Sequence, residues 1–160
     1  MTTPPTHAAA AVPLVDDYDG WVTSTSADSS YRVEVSAGAF AFIADEPVSV
    51  GGTGSGPGPY DYLLAAIGSC TAMTMRMYAQ RKQWPLERVV VRLRHTPAHI
   101  KDCLECETSA VGPRRLDRIV EIIGDLDEEQ HKRLLQIADR CPVKQTIERG
   151  IQIRTVEQPQ

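Results

Sequence analysis

The chain has 160 residues and a formal net charge of −4, with 17 Lys and Arg residues and 21 Asp and Glu residues. This balance gives no electrostatic basis for binding nucleic acid or an anionic membrane surface. No apolar run reaches the roughly 18 to 20 residues that span a bilayer, and the N-terminus lacks the basic region of a signal peptide. We therefore expect a cytoplasmic protein with a flexible N-terminal arm over residues 1–15 and a single domain over residues 16–160.

The first part of this domain is predicted to be an antiparallel sheet followed by a loop. Alternating segments favour short strands at Trp21–Ser26, Tyr31–Val35 and Ala39–Ile43. The next stretch, E-P-V-S-V-G-G-T-G-S-G-P-G-P, is rich in glycine and proline and ends at Pro59. A phosphate-binding loop is not favoured there, because no Lys-Ser or Lys-Thr pair follows the glycines.

The remainder is predicted to combine helices with three strands. An apolar helix runs from about Tyr60 to Lys82, with Pro59 at its start and Asp61 near its positively polarised end. It is followed by strands at Leu86–Arg94 and Leu116–Gly124, a helix capped by Asp127 with Gln130 three residues on, a short helix after Cys141 and a strand at Ile151–Val156. The order β-β-β-α-β-β-α-α-β places the domain in the α+β class.

Two of the four cysteines are associated with helices. Cys70 falls in the first half of the apolar helix, and Cys141 directly precedes Pro142, at the N-cap or in the first turn of the short helix. A helix N-terminus stabilises anions and can lower the pKa of a thiol. Cytoplasmic cysteines of this kind are thiols, redox pairs or metal ligands rather than structural disulfides. Core packing is the alternative for each, because free cysteine is among the most buried residue types.

The sequences around these cysteines resemble a known family. P-Y-D-Y-L-L-A-A-I-G-S-C-T-A-M-T-M-R around Cys70 and A-D-R-C-P-V-K-Q-T-I around Cys141 are similar to motifs of the OsmC/Ohr family. The preceding A-D-E-P…G-G…G-P-x-P-Y-D resembles one OsmC-like subgroup, and the similarity extends from about Asp45 to Thr155. The resemblance implies an OsmC-like fold, with antiparallel sheets around two long central helices that carry the cysteines, and an intertwined homodimer.

The resemblance also implies a reaction. Well-studied members of the family are thiol-dependent peroxidases that favour organic hydroperoxides. Cys70 would then attack the peroxide and become a sulfenic acid, which Cys141 would resolve to a disulfide. The expected partners are a second copy of the chain, a dithiol reductant and a hydroperoxide or other small substrate, with no nucleic acid, no membrane and no cofactor.

The residues that would activate the thiolate depart from the family's pattern. In the peroxidases a Glu follows a Pro, ten residues before the first cysteine. Here Tyr60 follows Pro59, and Asp61 comes one place late. The family's Arg lies ahead of the helix, where Arg32 is the candidate in this chain. Asp61 and Arg32 are therefore the possible activators, and Tyr60 is a candidate for lining the pocket, with core packing as its alternative.

A second cysteine motif lies in the polar connection after the fourth predicted strand. Cys103 and Cys106 form a C-x-x-C pair, and His99 comes four residues before Cys103. Zinc accepts such a ligand set. A redox-active pair is the second interpretation, and a solvated loop without function is the third. The segment D-C-x-x-C-E also resembles an insertion found in the same OsmC-like subgroup.

Two functions follow from these observations. The paired motifs favour a thiol-dependent peroxidase that reduces organic hydroperoxides through Cys70 and Cys141. The departures at Tyr60 and Asp61 favour the alternative, a non-peroxidatic OsmC-like module that binds a small apolar or electrophilic ligand or a metal. The two differ in one observable, which is whether mild peroxide joins the two cysteines in a disulfide.

Overall fold

The computed structural model describes residues 20–27, 29–95 and 116–157. They belong to two compact units that divide between Pro59 and Tyr60. Each unit contains an antiparallel sheet, as expected for an α+β protein. The predicted arm at residues 1–15 and the C-x-x-C motif at Cys103 and Cys106 lie outside the described residues.

The N-terminal unit is a three-stranded meander followed by the glycine-rich loop. Strands β1 (Val22–Thr25), β2 (Val33–Ala37) and β3 (Phe40–Ala44) pair antiparallel in that order, which confirms the predicted strands. Within the loop, the Asp45 carboxylate accepts hydrogen bonds of 2.5 to 3.1 Å from the backbone and hydroxyl groups of Thr53 and Ser55. The Thr53 hydroxyl and these other donors hold the pKa of Asp45 well below its ordinary value. The N–H and hydroxyl hydrogen-bond donors of the loop thus bind a carboxylate of the same chain.

The described part of the second unit contains three helices and a two-stranded sheet. The elements in chain order are α1 (Pro59–Lys82), β4 (Leu86–His95), β5 (Leu116–Gly124), α2 (Glu128–Ala138) and α3 (Pro142–Arg149). β4 and β5 pair antiparallel along their whole length, and all five elements confirm the predicted helices and strands. None of the described helices is both long enough and apolar enough to cross a membrane.

The core of the second unit forms where the C-terminal half of α1 packs on α2 and on the sheet. Its buried members are Met75, Ala79, Leu86, Leu134, Ile137 and Ala138. Met73 and Met77 of the same helix are 64% and 69% exposed. A helix turns by about 100° per residue, so the positions two before and two after Met75 point away from the face that Met75 buries.

The connection from α2 to α3 positions the second cysteine. The predicted capping box of α2 is present, since Asp127 accepts from the Gln130 N–H at 2.8 Å and Gln130 accepts from the Asp127 N–H at 3.2 Å. Pro142 has no N–H and forces the preceding residue out of the helical region, so Cys141 adopts φ −53° and ψ 119° and caps α3. Cys141 therefore precedes a helix of 8 residues, and of the two cysteine-bearing helices only α1 is long.

The predicted last strand at Ile151–Val156 is absent. Residues 151–157 form no strand among the described residues, and Ile151, Ile153 and Val156 are 69%, 86% and 71% exposed. Apolar alternation alone does not make a strand, because its backbone N–H and C=O groups need the edge of a neighbouring strand. No described strand of this chain pairs with the segment, so the observed order ends with α3.

Candidate functional site

The start of α3 brings together the two cysteines that the sequence predicts for the site. The thiols of Cys70 in α1 and Cys141 at the N-cap of α3 lie close enough for each to shift the pKa of the other, and both cysteines are free. Cys70 is half-buried, whereas Cys141 is 0% exposed. The pair therefore presents one thiol to small molecules and holds the other inside the unit.

Cys141 is surrounded by groups that favour its thiolate. As a neutral thiol it donates to the Ile67 carbonyl oxygen, 3.8 Å from the sulfur. Burial disfavours ionisation of this thiol, but the Lys144 N–H, the neighbouring Cys70 thiol and the Val143 N–H outweigh it. The pKa of Cys141 consequently lies below its ordinary value. The Lys144 amide belongs to the first turn of α3, where the helix dipole also favours negative charge.

Cys70 is shifted in the opposite direction. Burial raises the pKa of Cys70, and its hydrogen bond to Cys141 and the charge on Cys141 raise it further. The Val143 N–H opposes this shift without reversing it. The two titrations are linked, and the shifts run in opposite directions, so Cys141 is the first of the pair to ionise and Cys70 keeps its proton longer.

Arg118 of β5 connects the two cysteine-bearing segments. Its guanidinium donates to Thr71 Oγ1 at 3.2 Å, to the Ala138 carbonyl oxygen at 3.0 Å and to the Asp139 carboxylate at 2.7 Å. Thr71 directly follows the first cysteine, and Ala138 and Asp139 lie in the turn that leads to the second. The Arg118 side chain is only 16% exposed, so these bonds form in a largely dry environment.

Sequence reasoning missed Arg118, although strand alternation marks its position. Side chains two residues apart in a strand point to the same face, and Val120 and Ile122 of β5 pack against the core. Arg118 lies two residues before Val120 and therefore on the same face of β5, so a charged side chain occupies an inward position in L-D-R-I-V-E-I-I-G. A buried charge requires polar partners, and the two cysteine-bearing segments supply them.

The first turn of α1 does not bring Tyr60 or Asp61 to Cys70 of the same chain. Nine residues separate Asp61 from Cys70, which is about two and a half helical turns and about 13 Å along the axis, so the two side chains leave opposite faces. The Tyr60 ring packs against the His95 ring at the end of β4, with 5.1 Å between centroids. The roles assigned to these two residues stay predictions.

The remaining predicted residues lie elsewhere. Arg32 belongs to the N-terminal unit, where its guanidinium pairs with Glu34 at 2.9 Å. His99, Cys103 and Cys106 lie outside the described residues, so the zinc site stays a prediction. Within residues 20–27, 29–95 and 116–157, no group of three or more His, Cys, Asp or Glu side chains could hold a metal ion.

Replacing Arg118 with Met should lower the free energy of unfolding by about 1 to 3 kcal/mol, because a largely buried, charge-assisted set of hydrogen bonds is lost. Denaturant unfolding measures the change. Arg92→Met is the matched control, since Arg92 is exposed on the neighbouring strand and lies 3.5 Å from Glu121. That change should cost under about 1 kcal/mol. Equal effects of the two substitutions would contradict the connecting role of Arg118.

Comparison with known proteins identifies the family of the chain. Among solved structures, the fold is similar to an OsmC like protein from Mycoplasma pneumoniae, with 20% identity, a TM-score of 0.65 and coverage of 82% of this chain and 86% of that one. It is also similar to an organic hydroperoxide resistance protein OsmC from Legionella pneumophila, with 17% identity, a TM-score of 0.54 and coverage of 78% and 85%. The organic hydroperoxide resistance protein OhrB of Bacillus subtilis is similar as well, with 15% identity, a TM-score of 0.52 and coverage of 78% of this chain and 87% of that one.

These identities show a shared fold and no more. No curated protein sequence matches the chain significantly. The family model described as OsmC-like protein matches residues 52–156, which span α1, both strands of the second sheet, Cys70 and Cys141. The chain therefore belongs to the OsmC-like family.

Proposed function

We propose that the protein is a cytoplasmic thiol-dependent peroxidase that reduces organic hydroperoxides through Cys70 and Cys141. One observation carries the proposal, namely that a half-buried thiol lies beside a buried thiol of lowered pKa. Covalent catalysis requires a nucleophile beside a base that can activate it. The Legionella and Bacillus proteins of similar fold, both named organic hydroperoxide resistance proteins, support the substrate class.

The first step activates Cys70. Cys141 is the first of the two thiols to ionise, and in its thiolate form it accepts the Cys70 proton as a hydroperoxide arrives. Cys70 then reacts as a thiolate in spite of its raised pKa. In this reaction Cys141 takes the place of the carboxylate that the family's peroxidases carry ten residues before the first cysteine, where this chain has Tyr60.

The following steps convert peroxide to alcohol. The Cys70 sulfur attacks the terminal oxygen of the hydroperoxide, so that an S–O bond forms and the O–O bond breaks. The alkoxide released takes the proton held by Cys141 and leaves as an alcohol. The Cys141 thiolate then attacks the sulfenic sulfur, which forms the disulfide and releases hydroxide. The peroxide has gained two electrons from the cysteine pair, and an external dithiol restores them by thiol–disulfide exchange.

We also propose that the protein acts as a homodimer. The segment 151–157 exposes Ile151, Ile153 and Val156 and finds no strand partner among the described residues. An alternating segment of this kind is completed by pairing with another strand. The family resemblance, which implies an intertwined homodimer, supports a second copy of the chain as the source of that strand.

Wild-type protein should reduce cumene hydroperoxide at the expense of dithiothreitol, and Cys70→Ser should lower the rate by about 10³-fold or more, because it removes the nucleophile. Intact mass after one equivalent of peroxide should show loss of two hydrogens in wild type but not in Cys141→Ser. Cys103→Ser with Cys106→Ser is the control for the other thiols. Turnover that survives Cys70→Ser would contradict the proposal. Folded wild type with neither turnover nor disulfide would favour the binding-module alternative.

Cys141→Ala should lower the apparent pKa of Cys70, since it removes the neighbouring thiol and its charge, two of the three causes that raise that pKa. At a fixed pH between the two values, a larger fraction of Cys70 is then thiolate. The pH dependence of Cys70 alkylation by iodoacetamide, mapped by mass spectrometry, measures the shift. An unchanged or higher apparent pKa would show that burial alone controls Cys70.

Ile153→Asp should shift the protein from dimer to monomer in sedimentation equilibrium, because a carboxylate would enter the apolar face of the paired segment. Gln152→Asp adds the same charge one residue away, on the opposite face of a strand, and should leave the association constant within about threefold. Equal effects of the two substitutions, or a wild type that is monomeric throughout, would show that the segment does not form the interface.

A further inference from the structure

A buried hydroxyl lies between the two cysteine-bearing segments. Thr71 directly follows Cys70 in α1 and is 0% exposed. A buried hydroxyl requires hydrogen-bond partners, and that of Thr71 has two. It donates to the Ile67 carbonyl oxygen at 2.7 Å and accepts from Arg118 Nη1 at 3.2 Å. Its single hydrogen and one of its two lone pairs are therefore engaged.

The Ile67 carbonyl oxygen is approached by more donors than it can fully accept. The Thr71 hydroxyl lies 2.7 Å from it and the Cys141 sulfur 3.8 Å. Ile67 lies inside α1, so the same oxygen also accepts the backbone N–H four residues later, in the regular pattern of the helix. A carbonyl oxygen has two lone pairs, so three donors share two acceptor positions. The thiol is the weakest donor of the three.

Ionisation of Cys141 reverses these requirements. A thiolate has no hydrogen to donate, so the bond from Cys141 to Ile67 is lost, and a sulfur that is 0% exposed then needs donors of its own. The Thr71 hydroxyl lies close enough to Cys141 to influence the pKa of that thiol. Rotation about the Cβ–Oγ1 bond of Thr71 redirects its hydrogen from the Ile67 oxygen to the sulfur without moving a heavy atom.

Arg118 fixes the oxygen about which this hydrogen turns. Its Nη1 group donates to Thr71 Oγ1 and, at 3.0 Å, to the Ala138 carbonyl oxygen, and its Nη2 group donates to Asp139 at 2.7 Å. One side chain thus holds the hydroxyl of α1 and the turn that leads to Cys141. A hydroxyl that accepts a hydrogen bond from a cation is also polarised, which makes it a stronger donor.

Ionisable groups from four segments lie near Cys141. They are Cys70 of α1, Arg118 of β5, Asp139 and Arg140 of the turn, and Lys144 and Glu148 of α3. The Asp139 carboxylate pairs with Arg118 at 2.7 Å and with Lys144 at 3.7 Å, and Glu148 pairs with Lys144 at 2.8 Å. Because Asp139 compensates the charge of Arg118, a path through Thr71 gives Arg118 a second and more local effect on the sulfur.

We propose that the Thr71 hydroxyl is a switched hydrogen-bond donor for Cys141, and that Arg118 is the positioning residue that holds it in place. The hydrogen points to the Ile67 oxygen while Cys141 is a thiol, and to the sulfur while Cys141 is a thiolate. In the resting protein, the proton that Cys141 loses goes to water.

The switch has a consequence for the proposed reaction. The hydroxyl turns to Ile67 when Cys141 takes the proton of Cys70, and it returns to the sulfur when the alkoxide removes that proton. The thiolate that attacks the sulfenic acid is then stabilised until the disulfide forms. This consequence rests on the proposed peroxidase function, whereas the switch itself does not require it.

Ionisation of Cys141 tests the switch directly. A chain with Cys70→Ser, Cys103→Ser and Cys106→Ser retains Cys141 as its single cysteine, and the Cβ chemical shift of ¹³C-labelled cysteine reports its ionisation against pH. Thr71→Val in this chain should lower the ionisation constant of Cys141 about tenfold, because one hydrogen bond to the thiolate is lost. Thr71→Ser retains a hydroxyl and should keep the constant within about threefold of that with Thr71.

Thr74→Val is the matched control. The Thr74 hydroxyl makes the same kind of bond in the next turn of α1, to the Cys70 carbonyl oxygen at 2.7 Å. Its removal should leave the ionisation constant of Cys141 within about threefold. Equal effects of Thr71→Val and Thr74→Val would overturn the inference. So would a Thr71→Val chain in which Cys141 ionises as before, or a Thr71→Ser chain in which it ionises as in Thr71→Val.

Arg118→Met distinguishes an effect through Thr71 from an effect of charge. It should lower the ionisation constant of Cys141 about tenfold in the chain with Thr71, but by less than about threefold in the chain with Thr71→Val. Equal reductions in the two chains would show that Arg118 acts through its charge alone and would overturn its positioning role. Arg118→Lys keeps the charge without the planar fork. It replaces Arg118→Met if that chain does not fold, and its effect should likewise depend on Thr71.

The pH dependence of turnover separates the switch from the proposed function. With all four cysteines present, Thr71→Val should lower the rate of cumene hydroperoxide reduction about tenfold at neutral pH and approach the wild-type rate as the pH rises, because base restores the thiolate. A lower ionisation constant of Cys141 with an unchanged rate at every pH would keep the switch and overturn Cys141 as the proton acceptor. Wild type without turnover would overturn the peroxidase function and leave the ionisation result standing.

Discussion

The site depends on the attachment of one turn, between α2 and α3, to the middle of α1. Pro142 interrupts the helix there, so few backbone hydrogen bonds fix the turn, among them those from Arg140 N–H to Ile137 at 2.9 Å and from Cys141 N–H to Ala138 at 3.4 Å. Arg118 adds three hydrogen bonds that reach from the turn to the helix. Because these bonds are largely buried, they hold the two cysteine-bearing segments together although they belong to distant parts of the chain.

The same attachment determines how the pair is charged. The first turn of α3 directs backbone N–H groups at the buried thiol, Cys141, while burial and the neighbouring sulfur keep the proton on Cys70. The half-buried thiol therefore holds its proton more tightly than the buried thiol beside it. In the proposed reaction this explains why the first turn of α1 needs no carboxylate facing the nucleophile, and why Asp61 can lie on the opposite side of the helix.

Side chains of α1 contribute to three different surfaces, because the helical period distributes neighbouring residues around the axis. Met75 and Ala79 enter the core, and Gly68 lets β4 approach so closely that an added Cβ would lie 3.1 Å from Leu93 Cδ1. A third face, with Thr74, Tyr78 and Arg81, lines a groove between α1 and α2.

Much of the local structure was determined by the sequence, because alternation, helical periodicity and capping act between residues close in the chain. They predicted β1 to β5, α1, the cap of α2 and the placement of Cys141 before α3, and the two cysteine motifs indicated the OsmC-like family. Only the tertiary structure decided which side chains meet. Arg118 reaches both cysteine-bearing segments, and the bases of three segments line one groove, because β5 and α2 pack on α1. Tertiary structure also decided that residues 151–157 form no strand within one chain, since a strand requires a neighbour's edge to supply its hydrogen bonds.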